Sequence, residues 1–258
     1  MYPSSQSSGF TLVELAIVLM IIGLLIGGVL RGQELMNNAR VSAVIQQVKA
    51  YDGALATFQD TYSMLPGDMV NPGARLPNCT TPACNTSGNG NGLIAPIGQS
   101  PQALGTTTQA YPITGENATF WTHLAAAHLI SGVNPAAAVT ANDNSWGQQF
   151  PASKIGGGFQ VVTVAVPANV TSPGASGPYL VLIGDPNRGH FVGVPGQNAI
   201  TGVQASQIDR KMDDGLPQNG DIIAAGPVSE CMVQGPDIAL YQETSDSRIC
   251  NLMFKMQR

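Results

Sequence analysis

The chain has 258 residues and a formal net charge of −5, and only 10% of its residues are charged, where ordinary soluble domains run at about 25%. A hydrophobic share of 43% supplies enough apolar material for a core and excludes a disordered polyelectrolyte. Eleven Lys and Arg in total argue against a protein whose main task is gripping phosphates, and 30 Gly and 18 Pro without a Gly-X-Y period exclude collagen and point to a turn-rich chain.

Residues 15–30 read LAIVLMIIGLLIGGVL, and Phe10 to Val13 extend this apolar run with Glu14 as the sole interruption. A membrane-spanning helix needs about 20 residues, so the run is long enough. A secretory signal peptide has a shorter apolar core of about 7–15 residues, a basic lead and a small-residue cleavage site. Here the lead contains no Lys or Arg, and the run is followed by Arg31-Gly32-Gln33-Glu34. Glu14 is the anomaly, because a carboxylate inside a bilayer costs on the order of 2.5–3.5 kcal/mol. Thr11, Val13, Leu15, Ile17 and Val18 offer it no positive charge. A cut just before Phe10 would create an α-amino group one helical turn upstream, on the same copy or on a neighbour.

The string Gly9-Phe10-Thr11-Leu12-Val13-Glu14-Leu15, followed by a long apolar run, resembles the processing motif of the type IV pilin and type II secretion pseudopilin superfamily. The resemblance implies that a leader, residues 1–9, is removed after Gly9 by a prepilin peptidase that also methylates the new terminus at Phe10. It implies that Glu14 directs assembly into a helical filament with other copies or other pilins. The inner-membrane assembly platform and membrane lipids follow as further partners. The implied location is a single-pass inner-membrane protein whose head lies in the periplasm or outside the cell, with the filament in the periplasm or at the cell surface. The implied fold is α+β, a long N-terminal helix whose first half spans the membrane and whose second half packs on a C-terminal antiparallel β-sheet head. Segments Phe120 to Leu124 and Asp213 to Pro217 also resemble pilin-like heads. Two features depart from the family pattern: the leader is without basic residues, those nearest the run (Arg31, Arg40, Lys49) all lying on its C-terminal side, and the helix has no Pro. Gly23, Gly27, Gly28 and Gly32 form two G-x-x-x-G spacings, which permit close helix approach.

Past Arg31 the pattern becomes periodic. Val41, Val44, Val48, Tyr51, Leu55, Phe58 and Tyr62 alternate spacings of three and four, the signature of one apolar helix face. This predicts a single helix from near Phe10 to near Tyr62, its later face buried under its own head, ended by Leu65-Pro66-Gly67-Asp68. The expected divisions are a transmembrane half at 10–30, an amphipathic half at 31–65 and a head at 66–258. Residues 66–115 read as a long connector, and a loop of that length is uncommon in a compact domain. Glu116 to Ile130 reads as a second helix with Phe120, Leu124 and Ala127 on one face. Strands are expected at Phe159–Val166, Tyr179–Ile183, His190–Val194, Ile222–Ala225 and near Ile249–Phe254.

Four cysteines, Cys79, Cys84, Cys231 and Cys250, permit three disulfide connectivities. Local pairing is the simplest, and it implies an oxidising compartment. A zinc site is the rival, but C-x4-C with a second pair nineteen apart is a poor zinc pattern; free buried thiols remain a third state. Asp209, Asp213, Asp214 and Asp221 cluster acidic oxygens. Calcium-binding acidic loops of several pseudopilin-like heads make them weak calcium candidates, against the simpler reading of a solvated Asp-Gly turn. His123 and His128 are five apart and fall on different helix faces, and His190 stands alone. The sequons at Asn78, Asn85, Asn117 and Asn169 read as chance matches. No G-x-S-x-G, H-E-x-x-H or phosphate loop occurs, so no catalytic residue, cofactor or strong nucleic-acid signal is expected. The reading is a non-enzymatic structural subunit of a type IV pilus or a type II secretion pseudopilus. The alternative is a minor or tip pilin that binds a surface, DNA or a secreted substrate.

Overall fold

A computed structural model describes residues 11–95, 102–103, 115–140, 143–165, 177–187, 198–225, 231–235 and 238–256. The strand expected at His190–Val194, His190 itself and Asn169 lie outside the described residues. The chain divides into two units, one up to Arg40 and one from Val41 onward. Helix α1 (Leu12–Tyr62) contributes to both.

In the first unit, α1 from Leu15 to Leu30 is apolar and exposed: Leu19, Leu24 and Leu30 show 66%, 77% and 61% of their surface. Its most apolar window has a mean hydropathy of 2.7, long and apolar enough to cross a membrane. An all-round apolar helix with nothing packed on it suits lipid as its solvent.

In the second unit, Val41, Val44, Val48, Tyr51, Leu55 and Phe58 are buried, and Tyr62 is half-buried. They join one large core cluster with Phe120, Trp121 and Leu124 of α3 (Glu116–Ala126) and with one face of the main sheet. That sheet has six strands: β1 (Gln102–Ala103), β2 (Gly158–Ala165), β3 (Gly177–Ile183), β4 (Ile200–Thr201), β5 (Ile222–Ala225) and β8 (Arg248–Lys255). The order is β1-β2-β3-β8-β4, with β5 also on β8. Every pairing is antiparallel except β1 with β2. The register sets Phe159 opposite Leu182, and Leu182 opposite Leu252. Because side chains alternate across a sheet, Phe159, Val161, Leu180, Leu182, Leu252 and Phe254 face the α1 side. Val162, Tyr179, Val181, Ile183 and Met253 form a second buried cluster with Ala95. Both faces are therefore apolar, and the strands read as continuous rather than alternating hydrophobic runs. A separate hairpin pairs β6 (Met232–Gln234) with β7 (Ala239–Tyr241).

Three expectations need correction. The second helix stops at Ala126, short of Ile130. His128 takes a left-handed φ of 60°, with His128 N–H donating to Ala125 O and Leu129 N–H to Leu124 O. This double bond is the Schellman end, usually made with Gly in that position. The second correction is an unforeseen helix, α4 (Gly202–Met212), started by a capping box between Thr201 and Gln204. The third is the connector, whose described part contains a short helix, α2 (Pro72–Arg75), and is held by hydrogen bonds to Asp68, Glu116 and His123.

Candidate functional site

Gly9 and Phe10, the expected processing residues, lie outside the described residues. The first turn of α1 does lie within them. Thr11 is its N-cap. Glu14 N–H donates to Thr11 Oγ1 at 3.2 Å, while Thr11 N–H and Thr11 Oγ1–H both donate to Glu14 Oε2, at 2.8 and 2.9 Å. This is a reciprocal capping box, which satisfies donors that the helix start leaves orphaned. A carboxylate in the first turn is also favoured by the helix dipole. Thr11 offers Glu14 no positive charge, but it serves the carboxylate with two neutral donors. The Thr-x-x-Glu spacing was the available signal, and a search restricted to positive charges passes over it.

In the second unit, Cys79 and Cys84 are joined by a disulfide, and so are Cys231 and Cys250. The first bridge lies beside His123, which is fully buried. His123 Nδ1 accepts from Gly67 N–H at 2.9 Å, and Nε2 sits 2.9 Å from Cys84 O. Only the tautomer protonated on Nε2 satisfies both bonds. Burial holds the imidazole neutral and pushes its pKa down to about 4, against a smaller upward pull from the Cys84 carbonyl. Cys79, Cys84 and His123 offer three donor atoms within 4.8 Å. With both sulfurs in the disulfide, neither is a thiolate ligand.

His123 and Glu116, on one face of α3, hold the connector. Thr119 Oγ1 lies 3.5 Å from Gly67 O, but it is nearer to Glu116 O and Gly115 O of its own turn, at 3.3 and 3.4 Å. Glu116 accepts from Asn89 N–H at 3.0 Å and Ala95 N–H at 3.2 Å. Asp68 accepts from Asn91 N–H and Gly92 N–H at 3.1 and 2.7 Å. Two buried carboxyls thus gather the Asn-Gly loop onto the end of α1. Burial pushes the Glu116 carboxyl above its ordinary range, the two backbone donors pull it back, and neighbouring Asp68 raises it further. Gly67 is required at the hinge of this arrangement. Its φ is +87°, and a Cβ there would run into the carbonyl oxygen of Glu116.

Of the calcium candidates, Asp209, Asp213 and Asp214 have carboxylate oxygens within 4.8 Å of one another. Asp221 contributes its backbone N–H to Asp213 Oδ2, which also accepts Ile222 N–H at 2.9 Å. Asp209 is fully buried and accepts Tyr241 Oη–H at 2.7 Å and Gly215 N–H at 3.1 Å. Asp214 accepts Leu216 N–H at 2.8 Å and Asn219 Nδ2–H at 2.6 Å. The trio has the hard oxygen donors a calcium ion takes, and the structure uses those oxygens to pin the turn between α4 and β5. Burial pushes Asp209 up to about 6, partly offset by its bonds to Tyr241 and Gly215.

Residues 4–30 match the model of the prokaryotic N-terminal methylation motif, the signature of type IV pilins and pseudopilins. No curated protein and no solved structure matches the chain.

Proposed function

We propose that the chain, a prepilin by its methylation motif, is a structural subunit cleaved after Gly9, N-methylated at Phe10 and assembled into a type IV pilus or a type II secretion pseudopilus. The observation that carries this reading is the coincidence, in one segment, of the motif at 4–30 with a helix apolar and exposed on all sides. Such a helix has no stable place in water and is met either by lipid or by other helices of its kind. The membrane pool supplies subunits, and the filament replaces lipid contacts with helix–helix contacts. Glu14 of one copy pairs with the Phe10 amine of a neighbour, which sets the register. The work is mechanical, not catalytic.

Mass spectrometry of the N-terminal peptide, taken from native membranes of a host with an active prepilin peptidase, tests the processing step. A peptide beginning at N-methylated Phe10 supports the reading. An intact Met1 contradicts it.

A further inference from the structure

The sequence contains three Asn-Gly dipeptides, beginning at Asn89, Asn91 and Asn219. Asn-Gly is the pair most prone to lose its side-chain amide, because glycine has no Cβ to shield the nitrogen that attacks the asparagine side chain. The three pairs are closely matched. All six residues are exposed, and Gly90, Gly92 and Gly220 take φ values of +72°, +78° and +75°. They differ in what holds the glycine nitrogen. Gly90 N–H donates to Asp68 O at 3.1 Å, and Gly92 N–H donates to Asp68 Oδ2 at 2.7 Å. Asp68 is buried, which strengthens its hydrogen bonds. Gly220 N–H has no acceptor among the described residues. The bond at the third pair is made by the side chain instead: Asn219 Nδ2–H donates to Asp214 Oδ2 at 2.6 Å. It engages the leaving nitrogen, not the attacking one.

From this contrast we propose that Asn219 is a site of self-modification, converted to aspartate and isoaspartate in the folded head, while Asp68 protects Asn89 and Asn91. Gly220 N gives up its proton and bonds to Asn219 Cγ. The Cγ–Nδ2 bond breaks, and ammonia leaves with the proton that the glycine released. The Asp213 carboxylate lies where a Cβ on Gly220 would be, and Asp214 accepts from Nδ2, so a carboxylate stands at each end of that proton transfer. The cyclic imide then takes up one water. Opening at Cγ gives aspartate, opening at the backbone carbonyl gives isoaspartate, and either returns a proton to Gly220 N. The net change is amide plus water to carboxylic acid plus ammonia, with nothing oxidised or reduced. The new carboxylate faces Asp214 where an N–H now donates, so attraction becomes repulsion. The turn it would loosen is the one that Asp213 and Asp214 pin between α4 and β5. The reaction needs no partner copy and so stands apart from the filament reading.

The test incubates the full chain in detergent micelles in mildly alkaline buffer and follows amide-to-acid conversion at each of the three asparagines by tandem mass spectrometry. A parallel sample is held in strong denaturant, where the bonds to Asp68 are gone. In the folded chain those bonds must open before Gly90 or Gly92 can attack. Asn219 should therefore convert about tenfold faster than Asn89 or Asn91 in the folded chain, yielding both products, and the three rates should fall within about threefold of one another in denaturant. Equal rates at the three sites in the folded chain overturn the proposal. So does a folded Asn219 that keeps its amide while the denatured one loses it. A tenfold preference for Asn219 that persists in denaturant also overturns it, because the preference would then belong to the local sequence and not to the fold.

Discussion

Thr11 and Glu14 hold each other at the start of α1, the threonine giving two hydrogen bonds to Glu14 Oε2 and taking one from the glutamate N–H. Cleavage after Gly9 would leave the Phe10–Thr11 peptide bond intact, so the Thr11 N–H survives processing as a donor. Neutral donors lower the cost of the carboxylate in an apolar helix without cancelling its charge. The charge stays available to a cation while its position is fixed by the cap. Capping and the proposed assembly role are thus separable in one side chain.

Removing only the cap should loosen only the helix start. Thr11→Ala loses an N-cap worth about 1 kcal/mol. In detergent micelles, the amides of Glu14 and Leu15, which donate to Thr11, should exchange roughly fivefold faster, and amides beyond Ile22 should not change. Unaltered exchange at Glu14 and Leu15 would show that the cap does not persist in an apolar solvent.

The neutral His123 predicts acid sensitivity in the head. Its folded pKa, about 4, lies below the ordinary value of about 6.5, so its contribution to stability is present above pH 6.5 and is lost as pH falls toward 4. The loss amounts to at most about 3 kcal/mol. His123→Gln offers an acceptor to Gly67 and a donor to Cys84 at every pH. Denaturant unfolding of the full chain should show the parent losing stability between pH 6.5 and 4 relative to this variant; parallel curves would contradict the assignment.

Asp209 predicts the opposite sign. Its folded pKa, about 6, lies above the ordinary 3.8, so ionisation costs stability as pH rises from about 4 through 6. Asp209→Asn does not ionise. The melting temperature of the variant relative to the parent should therefore climb across that interval and then level off. A difference that falls with rising pH would show that the Tyr241 and Gly215 bonds outweigh burial.

The two bridges should differ in worth. By loop-closure entropy the Cys231–Cys250 bridge stabilises by about 3 kcal/mol and the shorter Cys79–Cys84 loop by about 2 kcal/mol. Paired Cys→Ser variants measured by denaturant unfolding should rank in that order. A reversal would locate the stabilisation of Cys79–Cys84 in the His123 network rather than in chain entropy.

What the sequence made legible was periodic or continuous. The three-four spacing from Val41 to Tyr62 describes the buried face of α1, and Ile222–Ala225 is a strand with the bounds its residues suggest. What stayed hidden was carried by single polar residues. Thr11-x-x-Glu14 and Thr201-x-x-Gln204 both start helices through short-range hydrogen bonds that leave hydrophobic periodicity unmarked. His128 ends α3 in a conformation its residue type rarely takes, so Ile130 looked like the end. Glu116 and His123 share a helix face, but their partners Gly67, Asn89 and Ala95 lie 21 to 56 residues away. No local pattern reports contacts of that range.

The most direct test of the central claim is the fate of Glu14→Gln, read as the amount of subunit in sheared filaments relative to the membrane pool. Glutamine in the third helical position still completes a capping box, so this variant keeps the bond to Thr11 and loses only the charge. If Glu14 pairs with the Phe10 amine of a neighbouring copy, the variant leaves that amine buried and unpaired, at a cost of roughly 3–5 kcal/mol. The account predicts at least a tenfold loss of incorporation, which Glu14→Ala should match, with membrane insertion and both disulfides unchanged. Incorporation of Glu14→Gln at the parent level would contradict it, and would show that Glu14 serves the start of its own helix and nothing more.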